Sequence, residues 1–155
     1  MTKRIFGGII LIYFSLESDC GMIDINNSIG SCELAYLGDA VIELLTRQRL
    51  VEKGIHGAGN LNKEALHYVT AVAQSGAIEK LLPILTEKET EVYKRGRNQH
   101  SASVPKSASA AQYRRATGFE ALFGYLWLTG EHERAKYLFS EAYADAEIAF
   151  EDTEG

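Results

Sequence analysis

From Glu33 onward, apolar residues recur at spacings of three and four. Leu34, Leu37, Val41, Leu44 and Leu45 follow this helical spacing, and Gly54 stops the run. A second stretch sets Leu61, Ala65, Val69, Val72 and Ala73 on one face, which predicts a single helix introduced by Asn60 or Asn62 as a cap. Residues 78–85 form a short segment broken by Pro83. Thr86-Glu87-Lys88-Glu89 opens another helix that ends near Arg95-Gly96. Residues 99–109 are rich in serine and contain Pro105, so they read as a loop. Residues 110–129 make the most apolar helix, closed by Gly130, and residues 131–150 a final amphipathic one. No window alternates as a half-buried strand requires. The predicted fold is all-α, with about six helices and no internal repeat.

The first twenty residues stand apart. Residues 5–16 read IFGGIILIYFSL and follow Lys3 and Arg4, which resembles the charged and apolar parts of a secretory signal. The sequence after it, Leu16-Glu17-Ser18-Asp19-Cys20, offers no small-x-small cleavage site. Twelve residues span only about 18 Å as a helix, short of a bilayer's hydrocarbon core. With Met22 just ahead of the first globular pattern, residues 1–21 are expected to be an upstream extension. The working domain is then residues 22–150, with an acidic tail at 151–155. A membrane-tethering segment is the alternative reading of the extension.

Composition narrows the class. The 155 residues are 46% hydrophobic and 10% aromatic with two prolines, which excludes a disordered chain or a low-complexity array. Two cysteines, Cys20 and Cys32, are too few for a disulfide framework or a cysteine zinc site, so a reducing, cytoplasmic setting is expected. The net charge of −5 conceals an uneven distribution. Residues 92–119 carry Lys94, Arg95, Arg97, Lys106, Arg114 and Arg115 and no acid, whereas residues 131–155 hold eight acids against two bases. Fixed positive charge displaces counterions from phosphates, so the cationic segment is a candidate for polyanion binding. A solvated face serving solubility is the plainer reading.

Two acids lie among apolar neighbours, Asp39 in Leu37-Gly38-Asp39-Ala40-Val41 and Glu120 in Phe119-Glu120-Ala121-Leu122. A carboxylate buried without a partner is costly, so each should be paired, at a helix edge, or holding a metal. Taken singly, Asp39 suits a helix start, and Glu120 suits an ion pair with Arg114 or Arg115. Taken together they say more. Gly38 and Ala40 flank one acid, and Gly118, Ala121 and Gly124 surround the other. Small residues let two helices approach closely enough to bring both carboxylates to one centre. Facing carboxylates beside a cationic segment suit Mg²⁺ and a phosphodiester. Glu43, one turn after Asp39, either joins them or pairs with Arg47.

At these residues the chain resembles the nuclease signature of the ribonuclease III family. Leu34-Ala35-Tyr36-Leu37-Gly38-Asp39-Ala40 is most similar to its small bacterial branch, Mini-ribonuclease III, where LAYxGDA is typical. The similarity continues through Leu61-Asn62-Lys63-Glu64-Ala65, Arg95-Gly96-Arg97-Asn98, Val104-Pro105-Lys106, Tyr113-Arg114 and Phe119-Glu120-Ala121-Leu122-Phe123-Gly124-Tyr125-Leu126. It spans roughly residues 24–145, in order, and several separated motifs are specific where one Leu-Gly-Asp would be weak.

The resemblance implies an all-α nuclease domain that forms a homodimer and carries no double-stranded-RNA-binding domain. It implies Mg²⁺-dependent cutting of double-stranded RNA, with Mn²⁺ as a substitute, and maturation of 23S ribosomal RNA. Asp39 and Glu120 take the positions of the acids most directly tied to metal and chemistry. Longer family members have two further acids where this chain has Ala35 and Thr117, a replacement usual in the small branch. Val72 stands where the branch often has a basic residue. The phosphate clamp implied is Arg95, Arg97, Asn98, Lys106, Arg114 and Arg115. A non-cleaving ribosomal-RNA-binding or ribosome-associated protein of the same fold is the alternative, and retention of both acids favours the nuclease. A purely helical interaction module would need neither the acid pair nor the acid-free cationic loop.

Overall fold

The apolar stretch in the helix over residues 110–128 has to be surrounded by other helices. The computed structural model describes residues 29–99 and 108–146, and among them there are six α-helices and no strand. They are α1 (Ser31–Glu52), α2 (Ala58–Val69), α3 (Ala71–Leu81), α4 (Glu87–Arg97), α5 (Ala110–Leu128) and α6 (His132–Ala142), with a 3₁₀ turn at Leu82–Ile84. Helix α5 is the axis. It packs against α1, α3, α4 and α6, and it buries Phe119, Leu122, Phe123 and Leu126 among Ile42, Leu45, Ile78 and Phe139. The expected extension at residues 1–21, Lys106 and the acidic tail at residues 151–155 lie outside the described residues.

The small residues set how closely the helices approach. A Cβ added at Gly38 of α1 would overlap the Glu120 carbonyl oxygen, and one at Gly124 of α5 would overlap the Leu34 carbonyl oxygen. The two helices therefore touch backbone to backbone. On the other side of α5, a Cβ at Gly118 would meet the Tyr93 ring of α4 at 2.6 Å. A methyl group between packed backbones forces the helices apart, so Gly124→Ala should destabilise the fold by about 2 kcal/mol. Chemical denaturation would measure this, and an unchanged midpoint would mean that the helices separate without cost.

Three sequence expectations are corrected. The single helix over residues 61–73 is two helices, because Thr70 interrupts it. Thr70 is extended (ψ 151), its hydroxyl oxygen accepts from the Ala73 amide, and its hydroxyl donates to the Leu66 carbonyl. One threonine thus ends α2 and caps α3. Neither Asn60 nor Asn62 caps α2, since its first residue follows Gly57 (φ 86) and the Asn60 amide donates to the His56 carbonyl instead. The last helix stops at Ala142, and residues 147–150 of that expected helix lie outside the described residues. Tyr143 leaves helical geometry (φ −121), is buried, and its hydroxyl donates to the Tyr68 carbonyl at 2.7 Å. The chain turns there and is helical again at residues 145–146, so the expected helix is interrupted after Ala142.

Other boundaries follow the sequence. Thr86 and Glu89 form a capping box at the start of α4, and Ser109 and Gln112 form one at the start of α5. Glu89 is buried yet remains ionised. Burial pushes its carboxyl up, but hydrogen bonds from Arg134 and the Thr86 backbone outweigh that and hold it below the usual range. Gly54 and Gly130 follow α1 and α5 with positive φ, which stops each helix without strain.

Candidate active site

The backbone contact at Gly38 decides where the two acids stand. Asp39 follows Gly38 on α1, and Glu120 offers the very carbonyl that Gly38 touches on α5. Each carboxylate feels its surroundings. The Glu120 carboxyl is pushed up to about 7, first by burial and then by the charge of Asp39, with Gln74 offsetting part of the rise. Asp39 is also raised, by burial and by the neighbouring charge of Glu43. Among the described residues no lysine or arginine forms an ion pair with either acid. Two like charges are thus held together without a neutralising partner, a state that calls for a proton or a cation.

The ion pair anticipated between Glu120 and Arg114 or Arg115 does not form. Arg115 turns to α3, where its Nε donates to the Ser75 hydroxyl at 2.9 Å and its Nη1 lies 3.2 Å from Glu79. Arg114 is exposed. Glu43 pairs with Arg47 at 2.9 Å while still acting on Asp39 through its charge. No group of three or more metal-ligating side chains occurs among the described residues. The two positions where longer family members carry acids are closed to that use here. Ala35 is buried against Leu34, Val92 and Ala121, and the Thr117 hydroxyl donates to the Tyr113 carbonyl.

The cationic residues divide. Arg97, Asn98, Arg114 and Arg115 line one pocket of about 480 Å³ between the end of α4 and the start of α5. Arg97 lies over the Tyr93 ring at 5.7 Å and donates from Nε to the Asn98 side-chain oxygen at 3.1 Å. Arg95 is elsewhere, tying α4 to the start of α1 through the Ser31 hydroxyl at 3.2 Å and the Ile29 carbonyl at 3.5 Å. Lys106 lies outside the described residues. A larger groove of about 540 Å³ between α2, α3 and the chain after α6 contains neither acid.

One residue of the site was missed in the sequence. Gln74 on α3 is only 1% exposed and reaches the Glu120 carboxyl, lowering its pKa. Its signal was a polar residue on the face shared by Ala77, Ile78 and Leu81, a face that is otherwise buried and apolar.

Comparison with known proteins identifies the family. The ribonuclease III domain family matches residues 33–131, a span containing both acids. Mini-ribonuclease 3 of Symbiobacterium thermophilum is 48% identical over 109 residues, 70% of this chain and 84% of that protein. The Streptococcus pneumoniae protein of the same name is 46% identical over 121 residues, 77% of this chain and 94% of its own. An X-ray structure of a Fusobacterium nucleatum protein superimposes with a TM-score of 0.68 at 30% identity, covering 75% of this chain and 93% of that one. With that domain over most of its length and relatives of this similarity, the chain belongs to the ribonuclease III family, in its Mini-ribonuclease 3 branch, and is an endoribonuclease.

Proposed function

We propose that Asp39 and Glu120 together hold Mg²⁺, or Mn²⁺ in its place, and that this site cuts double-stranded RNA in a homodimer. The observation that carries the reading is that Asp39 and Glu120 lie near enough for the charge of one to raise the other, to about 7, with no cationic partner among the described residues. A set of hard oxygen donors fits a hard divalent cation that keeps several of its waters. When bound, such a cation supplies Lewis acidity and lowers the pKa of water, which phosphodiester hydrolysis needs. In that hydrolysis a water oxygen joins phosphorus, the bond to the 3′ oxygen breaks, and the 3′ oxygen takes up a proton. The ends are a 5′ phosphate and a 3′ hydroxyl. Asp39 and Glu120 contribute fixed negative charge on two rigid helices, so the site is positioned before substrate arrives.

Further observations support the substrate and assembly. Duplex RNA hides its base edges in a deep groove, so it is recognised by shape, phosphates and 2′ hydroxyls. Arg97, Asn98, Arg114 and Arg115 offer such phosphate contacts, to which we add Arg95 and Lys106. Tyr36 (85% exposed), Ala40 and Leu44 (52% exposed) make an apolar stripe at helical spacing beside Asp39, suited to a second copy of α1. A two-fold dimer would bring one site to each strand. Residues 22–150 form the nuclease domain in this reading. Membership of the branch supports precursor 23S ribosomal RNA as the biological substrate. No helix among the described residues is long and apolar enough to cross a membrane, and a cytoplasmic setting is part of this reading. Purified protein should cut duplex RNA in Mg²⁺ and stop in EDTA. An uncut duplex, or cutting indifferent to EDTA, would overturn the reading.

The clamp has its own test. Each phosphate contact removed should lower the salt dependence of binding by roughly one unit and weaken all duplexes alike. Arg97→Ala and Lys106→Ala should therefore raise the Kd similarly for unrelated duplexes, measured in Ca²⁺ over a range of salt. An unchanged slope in both variants would put the RNA on another face. A loss confined to one sequence would mean base readout.

A further inference from the structure

Helix α3 packs against α5 and brings Gln74 to Glu120. The side chain is almost wholly enclosed, at 1% exposure, and its amide Nε2 has no hydrogen-bond partner. It lies close enough to the Glu120 carboxylate to favour the charged form, yet stops short of a hydrogen bond of good geometry. A buried amide N–H left unmade is a cost to the fold, and proteins keep such groups where another state satisfies them. The neighbours on its helix take care of themselves, since Ser75 accepts from Arg115 and Ala77, Ile78 and Leu81 fill the core.

Resting on the proposed metal reading, we propose that Gln74 is a positioning residue whose amide donates to the Glu120 carboxylate and aims it at the cation. With two acids proposed to hold the cation, the orientation of each matters. A donor behind a ligating carboxylate fixes its direction, and loss of such a partner commonly costs about 10–100-fold in metal affinity. The donor is uncharged, so it orients Glu120 without competing for the cation.

The test substitutes a side chain of equal length that cannot donate. Gln74→Met should keep the Tm of the wild type or exceed it, because it removes a buried unpaired donor while filling the same space. Its affinity for Mn²⁺ alone, followed by the paramagnetic resonance of the free ion, should fall about tenfold or more. In steady-state cleavage kcat should fall at limiting Mg²⁺ while KM for duplex RNA stays the same. A Tm several degrees lower would assign Gln74 to support of the fold and overturn the proposal, as would Mn²⁺ affinity equal to that of the wild type. Glu120→Gln serves as the reference and should lose Mn²⁺ binding. If it binds as the wild type does, or the wild type binds none, the metal reading itself fails and takes this proposal with it.

Discussion

Asp39→Asn and Glu120→Gln should each reduce cleavage of duplex RNA by about three orders of magnitude or more while leaving the helical content unchanged. Both substitutions keep shape and remove charge. The contact that joins α1 to α5 runs through Gly38, Gly124 and main-chain atoms, so neither side chain is needed for the helices to meet. The loss falls on the charge that holds a divalent cation against the scissile phosphate. Stabilisation of that kind is worth several kcal/mol, and each 1.36 kcal/mol is tenfold in rate, which gives a loss of about a thousandfold or more. Single-turnover cleavage with saturating enzyme would isolate this loss from any change in RNA binding. A rate within about tenfold of the wild type for either variant would show that its carboxylate does not hold the metal. Circular dichroism supplies the control for folding.

The fold was legible where a single local signal governs. Thr86 with Glu89 marks the start of α4 and Gly130 the end of α5, and the structure has both. The close approach of α1 and α5 beside Asp39 and Glu120 was also legible, because glycine and alanine beside each acid are a statement about backbone distance. What the sequence hid is long-range. Thr70 splits a continuous apolar stripe, since a threonine caps as readily as it continues a helix, and α3 must turn to pack on α5. Tyr143, just past the end of α6, donates to the Tyr68 carbonyl, 75 residues away.

The same limit applies to charges. Arg115 was a natural partner for Glu120 by sequence distance, but at five residues on a helix the two point apart. It pairs instead with Ser75 and Glu79, some forty residues earlier. That choice leaves the acid pair unneutralised, and no periodicity announces it. Gln74 shows the opposite failure. Its polarity was visible on the buried face of α3, but only the packing of α3 on α5 shows that it faces Glu120.

The Mg²⁺ requirement of cleavage should rise steeply as pH falls below about 7. Glu120 has a folded pKa of about 7 against an ordinary value of 4.5, raised by burial and then by Asp39. A cation needs the carboxylate ionised, so below that value it competes with a proton. The apparent affinity should drop about tenfold between pH 8 and 6, and about another tenfold by pH 5. The metal-free fold reports the same group with the sign reversed. Because the folded state holds its proton more tightly, the contribution of Glu120 is fully present below about 4.5 and is lost as pH rises through about 7. Glu120→Gln escapes that loss. In EDTA it should unfold like the wild type near pH 4.5 and be more stable at pH 8, by about 3 kcal/mol at most. Asp39→Asn removes the second cause of the shift and should move the midpoint down. Mg²⁺ titrations at pH 6 and 8, with thermal unfolding in EDTA at pH 4.5 and 8, test both halves. A flat Mg²⁺ requirement together with no gain for Glu120→Gln at pH 8 would mean that burial and Asp39 do not burden Glu120.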